Sequence, residues 1–138
     1  MVRINLINPG KLADQHIIAE YNEILMLLGY VRRYPEPKNI PEKYTLGKGH
    51  IKFFKNKLQY LKNRHELLKI EMKKRGFATN ITINLSEFNV KLINDWKPNN
   101  KDKKIIKKRL IEKFNLKPNY YKYYGINKPK EYFIELLK

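Results

Sequence analysis

Apolar side chains recur at intervals of three and four residues near the start of the chain, after an extended "RINL" and an Asn8-Pro9-Gly10 turn. The recurring positions are Ile17, Tyr21, Ile24, Leu28 and Val31. This spacing predicts an amphipathic helix within residues 13–37. Asp14 is the expected N-cap of this helix, and Pro35 and Pro37 are expected to stop it.

Two further stretches show the same periodicity. A second, long helix is predicted from His50, with Gly76 at its end. Its apolar positions are Ile51, Phe54, Leu58, Leu61, Leu68 and Met72. A third helix is predicted over residues 101–118, where Pro118 is the stop. Its inner positions are Ile105, Ile106, Leu110 and Phe114.

The remaining stretches lack a clear period. Residues 78–100 are mixed and irregular, so only short elements are expected there, and the tail from residue 119 is aromatic and basic, with Gly125 permitting a turn. Strand-like alternation is not convincing anywhere. The pattern therefore predicts an all-α fold, a single compact domain over residues 1–138 with three main helices and long irregular connections.

The strong positive charge of the chain indicates what kind of partner the protein binds. The chain has 30 lysine and arginine residues against 13 aspartate and glutamate residues, a formal net charge of +17. The excess lies mainly in residues 49–75, with nine basic and two acidic side chains, and in residues 101–117, with eight and two. Such self-repulsion favours a polyanionic partner, and nucleic acid is the leading candidate. The alternative is a lysine-rich composition that reflects an AT-rich genome.

Composition also excludes several classes of function. The chain has no cysteine, which excludes disulfides, thiolate nucleophiles, cysteine-ligated zinc and iron-sulfur clusters. No apolar run approaches the ~18 residues of a membrane span, and the start lacks a secretory signal pattern. We therefore expect an intracellular protein that binds no membrane and carries no cofactor or metal.

One stripe of the first predicted helix contains titratable side chains that could take part in catalysis. A turn of 100° per residue places His16, Glu20, Glu23 and Leu27 together at the flank of the apolar face. One interpretation is a half-buried carboxylate. The other is that both carboxylates are solvated and that His16 pairs with Glu20 across one helical turn. A metal site is disfavoured because no other ligand cluster accompanies the stripe.

The tail contains "YYKYYG", in which four tyrosines surround Lys122. Aromatic faces beside an ammonium suit stacking on bases with a contact to phosphate, worth ~1–3 kcal/mol per stacked base. The competing interpretation is that part of the cluster packs on the helices. The sequence favours neither.

Seven short blocks together carry a resemblance to a known family. They are RINL at 3–6, LADQH at 12–16, AEY.E at 19–23, LG.GH..FF..KL..L at 46–61, KRGF at 74–77, RL.EK at 109–113 and YKYYG at 121–125. Their order and spacing resemble the pyrimidine-dimer DNA glycosylase and abasic-site lyase family, of which a phage endonuclease V is typical.

The resemblance implies a bifunctional DNA repair enzyme. After removal of Met1, the α-amine of Val2 would attack the sugar C1′ of the damaged nucleotide and form a Schiff base. Glu23 would assist glycosidic cleavage and then remove the C2′ proton in a β-elimination that breaks the strand. The implied partner is double-stranded DNA that contains a lesion, which implies a location with the DNA, in the cytoplasm or nucleoid or in a nucleus. A monomer is expected.

The resemblance also implies a set of DNA contacts. Arg3, Gln15 and His16 match positions near the lesion, and the phosphate contacts would come from Arg109 and Lys113. The implied contacts in the tail are Tyr121, Lys122, Tyr123 and Tyr124.

Two positions depart from the family at the DNA. Asn22 and Met26 occupy positions at which the typical member has arginines that lie close to the distorted DNA. This departure leaves open a different lesion preference, and a non-catalytic nucleic-acid-binding protein is the remaining alternative.

Overall fold

Helices dominate the computed structural model, which describes residues 2–138. They are α1 (Asp14–Arg33), α2 (His50–Phe54), α3 (Leu58–Lys74), α4 (Asn100–Leu116) and α5 (Lys130–Leu136). The only strands in this described part are β1 (Lys122–Tyr123) and β2 (Ile126–Asn127), which pair antiparallel. The all-α prediction is therefore confirmed in outline, with one small hairpin added. The buried apolar residues form one cluster, from Ile4 to Leu137.

Helix α1 follows its predicted pattern on the apolar face. All five recurring apolar positions are buried, α1 packs on α3, and the helix ends at Arg33, two residues before Pro35. The predicted N-cap is wrong. Ala13 occupies the cap position without a side-chain hydrogen bond, and Asp14 is the first helical residue. Its carboxylate is engaged elsewhere, with Arg75 and the hairpin.

The second long helix is wrong as a continuous element, because the chain breaks between Phe54 and Leu58 into α2 and α3. The backbone of Lys57 is not helical, with φ −127° and ψ 42°. Its ammonium donates a hydrogen bond to the carbonyl of Phe53, in α2, at 2.8 Å. The side-chain amide of Asn94 fills the break by donating to the carbonyl of Asn56 at 2.9 Å. Apolar spacing continues across the break, so periodicity alone does not reveal it.

Helix α4 is confirmed by the structure. It begins with a capping box, in which the Asn99 side chain accepts from the backbone N–H of Asp102 and the Asp102 carboxylate accepts from that of Asn99. Ile106, Leu110 and Phe114 are buried, whereas Ile105 is only partly buried. A capping box satisfies two of the free donors that a helix start leaves.

The irregular segment and the tail close the core. Between α3 and α4 the buried residues are Ile83, Leu85 and Leu92. The hairpin turns through Tyr124 and Gly125, both with positive φ, at 53° and 78°. Positive φ at both central residues matches the twist of a two-residue hairpin. After the hairpin, α5 lies on α4, where Phe133 stacks on Phe114 with ring centroids 5.0 Å apart.

Candidate active site

The first residues of the chain are held from both sides. The backbone N–H of Ile4 donates to Nε2 of His50 at 3.0 Å, and the Ile4 carbonyl accepts from the hydroxyl of Tyr44 at 3.0 Å. His50 in turn contacts the carbonyl of Thr45 through Nδ1 at 2.8 Å. Since Nε2 accepts, the Nδ1 atom carries the hydrogen. Burial lowers the pKa of His50 to about 4, so the ring stays neutral at neutral pH.

Arg3 fixes the residue before Ile4. Its Nε donates to the carbonyl of Leu46 at 2.7 Å, and its Nη1 donates to the carbonyl of Val2 at 3.0 Å. The guanidinium thus joins the backbone of the terminal segment to the backbone of the loop before α2. Val2 is thus held by Arg3, whose side chain is itself bonded to the loop before α2.

A buried ion pair supports the same segment from below. Glu20 is fully buried and receives Nε of Arg64 at 2.6 Å, Nη2 of Arg64 at 3.0 Å and the amide of Asn5 at 3.0 Å. Arg64 also donates to the carbonyl of Ile7 at 2.5 Å. The interpretation of Glu20 as a solvated partner of His16 is therefore wrong. Sequence reasoning missed Arg64 and His50, since periodicity places both on faces that pack inward without naming their partners.

These elements surround a cavity of about 230 Å³, termed here the terminal cavity. It is lined by Val2, Arg3, Asn5, Gln15, His16, Ala19, Arg109, Lys113, Tyr120 and Tyr121. Seven of these lining residues belong to the predicted site, although they come from the terminal segment, α1, α4 and the start of the hairpin. The lining contains three cations and no carboxylate. Its chemistry favours an anionic ligand.

His16 forms an aromatic wall of the terminal cavity. Its ring packs at 4.7 Å from the ring of Tyr121 and at 5.4 Å from that of Phe114, between centroids. Burial, with help from the charges of Arg109 and Lys113, lowers the pKa of His16 to about 4. The imidazole is therefore neutral at neutral pH and adds no charge to the cavity.

Glu23 lies outside the set that lines the terminal cavity, seven residues after His16 on α1. Seven residues nearly complete two turns, so both side chains share one face. Desolvation raises the pKa of the Glu23 carboxyl, and the nearby charge of Arg3 opposes that rise. A carboxyl with a raised pKa, close to a cation of the cavity, has the properties of a group that exchanges protons during catalysis.

The family of the chain follows from a comparison of its sequence with known families. A family model described as pyrimidine dimer DNA glycosylase matches residues 1–85. The chain belongs to this family. The matched range contains the terminal segment and α1 to α3, whereas Arg109, Lys113 and the hairpin lie beyond it.

As a member of this family, the protein is a DNA glycosylase that acts on damaged DNA, and it therefore works inside the cell. None of the helices within residues 2–138 is long and apolar enough to cross a membrane. Over the same residues, no cluster of three or more histidine, aspartate or glutamate side chains has the arrangement of a metal site.

Other residues of the predicted site lie on the exposed face of α1 and at the start of the tail. Asn22 and Met26 are exposed on α1, and Met26 is 68% exposed. Gln15 joins the terminal cavity to the tail, since its amide donates to the carbonyl of Tyr120 at 3.1 Å and its oxygen accepts from the backbone N–H of Lys122 at 3.0 Å. The Lys122 side chain is exposed.

Tyr123 and Tyr124 pack against the protein in this glycosylase. The guanidinium of Arg75 lies 4.4 Å and 4.9 Å from their ring centroids. The Tyr123 hydroxyl donates to the carbonyl of Gly10 at 2.8 Å, and the Tyr124 hydroxyl donates to Glu71 at 3.1 Å. Both residues lie outside the lining of the terminal cavity. Their contact with DNA stays a prediction.

Proposed function

We propose that this single-domain protein excises pyrimidine dimers from double-stranded DNA as a monomer and then cleaves the strand through a Schiff base with the α-amine of Val2. The observation that carries the proposal is the terminal cavity. A terminal segment fixed by His50, Tyr44 and Arg3 ends at a cationic cavity, and Glu23 lies on the adjoining face of α1.

The α-amine is a suitable nucleophile at neutral pH. Its reference pKa of ~7.7–8.0 lies well below the ~10.4 of a lysine, so a far larger fraction is neutral and able to attack carbon. Arg3, Arg109 and Lys113 line the same cavity and disfavour a further positive charge there, which lowers the pKa of the amine. Removal of Met1, which lies outside the described residues, is the step that would free this amine.

Base excision would proceed by displacement at the sugar. The neutral amine attacks C1′ as the C1′–N bond breaks, and the departing base takes the bonding electrons and a proton. The Glu23 carboxylate stabilises positive charge that develops at C1′, and its protonated form donates to the ring oxygen as the sugar opens. Before the sugar opens, the attached nitrogen loses a proton, which the departing base takes up. The nitrogen lone pair then forms the C1′=N bond as the C1′–O4′ bond breaks, and the product is the protonated imine between Val2 and C1′.

Strand cleavage would follow from the imine. Glu23 removes a proton from C2′, the electrons form a C2′–C3′ double bond, and the C3′–O bond breaks with phosphate as the leaving group. Water then hydrolyses the imine and restores the free amine. The raised pKa of Glu23 supports both of its roles, because the same carboxyl gives and accepts a proton in one cycle.

The phosphate contacts are assigned to Arg109 and Lys113. They stand one turn apart on α4, line the terminal cavity and share a face of the helix. Contacts of this kind position the duplex without reading its sequence. We assign the contact with the damaged nucleotide to Tyr121, and its packing beside His16 in the lining of the terminal cavity supports this assignment.

The proposal is tested by trapping the imine with borohydride on duplex DNA that carries one thymine dimer. We expect a covalent protein–DNA band from the protein with a free Val2 amine and none from the protein that retains Met1. Glu23→Gln is expected to lower strand cleavage by about 10²–10⁴-fold. Glu131→Gln, an exposed carboxylate on α5, is the matched control and should leave cleavage unchanged. A band from the Met1-retaining protein would contradict the assignment of the amine.

A different lesion preference is the second candidate, and the exposure of Met26 favours it. The two positions next to the face of Glu23 carry the uncharged side chains of Asn22 and Met26. Neutral side chains supply no charge-assisted hydrogen bonds to the distorted strand. Trapping on an abasic duplex but not on a dimer duplex would support this candidate over the first.

A further inference from the structure

A second basic cavity lies at the other end of α1, with a volume of about 320 Å³. Its main lining residues are Tyr30, Arg33, Tyr34, Lys38, Lys52 and Lys55. They come from the end of α1, the loop that follows it, and α2 with its C-cap. This volume falls in the ~300–1,000 Å³ range of small-ligand sites. We call it the distal cavity.

Lys55 contributes a cation that the protein itself does not pair. The residue is 6% exposed and lines the distal cavity, and its ammonium has no ion pair or hydrogen bond within residues 2–138. The one carboxylate in the lining, Glu36, pairs with Lys38 at 3.4 Å. The lining thus has four cations around one carboxylate, and this excess of positive charge in a concave site favours an anion.

Two aromatic rings complete the distal cavity. Tyr30 and Tyr34 have ring centroids 5.1 Å apart, and Tyr34 is 52% exposed. Exposed tyrosine faces beside ammonium groups are the combination that binds a nucleotide, with the ring against the base and the cations around the phosphate. The chemistry of the distal cavity therefore matches one unit of a nucleic acid strand.

The position of the distal cavity on α1 relates it to the lesion. His16, Glu23 and Tyr30 follow one another at intervals of seven residues, so all three lie on nearly one face of the helix. The rise of 1.5 Å per residue separates His16 from Tyr30 by about 21 Å along the axis. At about 3.4 Å per nucleotide, this distance spans about six nucleotides of a strand.

We propose that the distal cavity binds a nucleotide of the substrate DNA, through its phosphate, about six nucleotides from the lesion. The inference rests on the proposed function, because it takes the lesion to occupy the terminal cavity. The cavity would then act as a second anchor, which holds the duplex along α1 while the damaged nucleotide is processed.

The test uses binding rather than cleavage. The probe is a duplex with a central tetrahydrofuran abasic-site analogue and about twelve base pairs on each side, followed by fluorescence anisotropy. We expect Lys55→Met and Lys52→Ala each to weaken binding about tenfold and to lower the slope of log K against log salt by about 0.9. Lys73→Ala, an exposed lysine on α3 outside both cavities, is the matched control and should have a smaller effect. Lys52 is exposed, so its variant retains the fold if Lys55→Met does not.

Duplex length locates the contact. Two further probes are shortened to about three base pairs on one side or the other of the analogue. We expect the difference between wild type and the two variants to vanish on one shortened duplex and to persist on the other. Equal binding of wild type and Lys52→Ala on the full duplex would overturn the inference, as would a difference that survives both truncations.

A free anion is the other source of the same chemistry. Sodium phosphate that perturbs the amide signals around Lys55, with no variant effect on the full duplex, would assign the distal cavity to a free anion and overturn the assignment to DNA. Imine trapping is measured in parallel. Imine trapping without any effect of the variants on binding would overturn only the role of the distal cavity. A length-dependent effect of the variants without imine trapping would support the role of the distal cavity and contradict the proposed lyase activity.

Discussion

Two regions of this glycosylase have the same kinds of residues and opposite arrangements of charge. Around the hairpin, Arg75 pairs with Asp14 and Glu71 at 2.9 Å each, beneath the rings of Tyr123 and Tyr124. We call these five residues the hairpin cluster. The terminal cavity has basic and aromatic residues too, but its lining contains no carboxylate.

The difference distinguishes a cation that stabilises the fold from cations whose setting favours an anionic partner. In the hairpin cluster the arginine is fully buried and its charge is matched within the protein, so its contribution is to stability. Cations that line a cavity without a carboxylate favour an anion from outside. Basic and aromatic residues in a sequence therefore do not by themselves mark a nucleic-acid surface.

The strongest test of this contrast is Arg75→Leu, which should destabilise the fold by about 3–5 kcal/mol. The change leaves the buried carboxylates of Asp14 and Glu71 without their cation. Urea unfolding followed by circular dichroism measures the loss. Lys74→Ala, at the neighbouring exposed position, is the control and should stay within about 0.5 kcal/mol. A small effect at Arg75 would remove the structural role of the hairpin cluster.

The second-largest effect is expected from acid, which should lower the free energy of unfolding through His50, the residue that holds the terminal segment. The pKa of His50 is about 4 in the folded protein, below its usual 6.5, because the ring is buried. Between these values the unfolded chain binds more protons, so stability is full above pH 6.5 and falls as the pH drops towards 4. The complete loss amounts to about 3 kcal/mol. His16 contributes in the same direction and range.

Urea unfolding at a series of pH values measures this dependence. His50→Gln is expected to be less stable at neutral pH, because the bonds to Ile4 and Thr45 change, and to show a shallower fall towards pH 4. An unchanged slope in the variant would show that other groups govern the acid sensitivity.

A smaller effect, on binding rather than stability, is expected at the terminal cavity. Lys113→Ala should weaken binding to duplex DNA about tenfold and lower the salt slope by about 0.9, since one phosphate contact is lost. Its unfolding free energy should change by less than about 0.5 kcal/mol. Anisotropy across a salt series, paired with urea unfolding, separates the two. A variant that loses stability and keeps its salt slope would reverse the contrast with the hairpin cluster.

The smallest effect is expected from Tyr123→Phe. The change removes the hydrogen bond from the hydroxyl to the carbonyl of Gly10 and keeps the ring over Arg75, at a cost of about 1 kcal/mol. Strand cleavage by the folded variant should match wild type. Reduced cleavage at unchanged stability would instead give the Tyr123 hydroxyl a contact with DNA, as the resemblance implies.

Much of the helical framework could be predicted from the sequence. The apolar faces of α1 and α4, the end of α1 before Pro35 and the stop at Gly76 follow from local rules, because helical period, proline and glycine act within a few residues. The net charge and the short blocks led to DNA and to the family, which the family model confirms.

Only the tertiary structure decided which residues meet. The helical period predicted one continuous helix across the break at Lys57. The amide that fills this break belongs to Asn94, which lies far along the chain, so the local pattern does not reveal it. The same limit applies to Glu20, whose burial depends on Arg64 and Asn5. A helical period reports which face is apolar, whereas the partner of a charged side chain depends on packing between distant segments.

The terminal cavity shows both contributions in one place. The sequence by itself determined that a cation stands next to Val2, since Val2 and Arg3 are adjacent in the chain. It did not determine that Arg109 and Lys113 would lie around the same space, more than a hundred residues later. That convergence required α1 and α4 to pack on one core, and long-range packing is a property of the folded chain rather than of any local pattern.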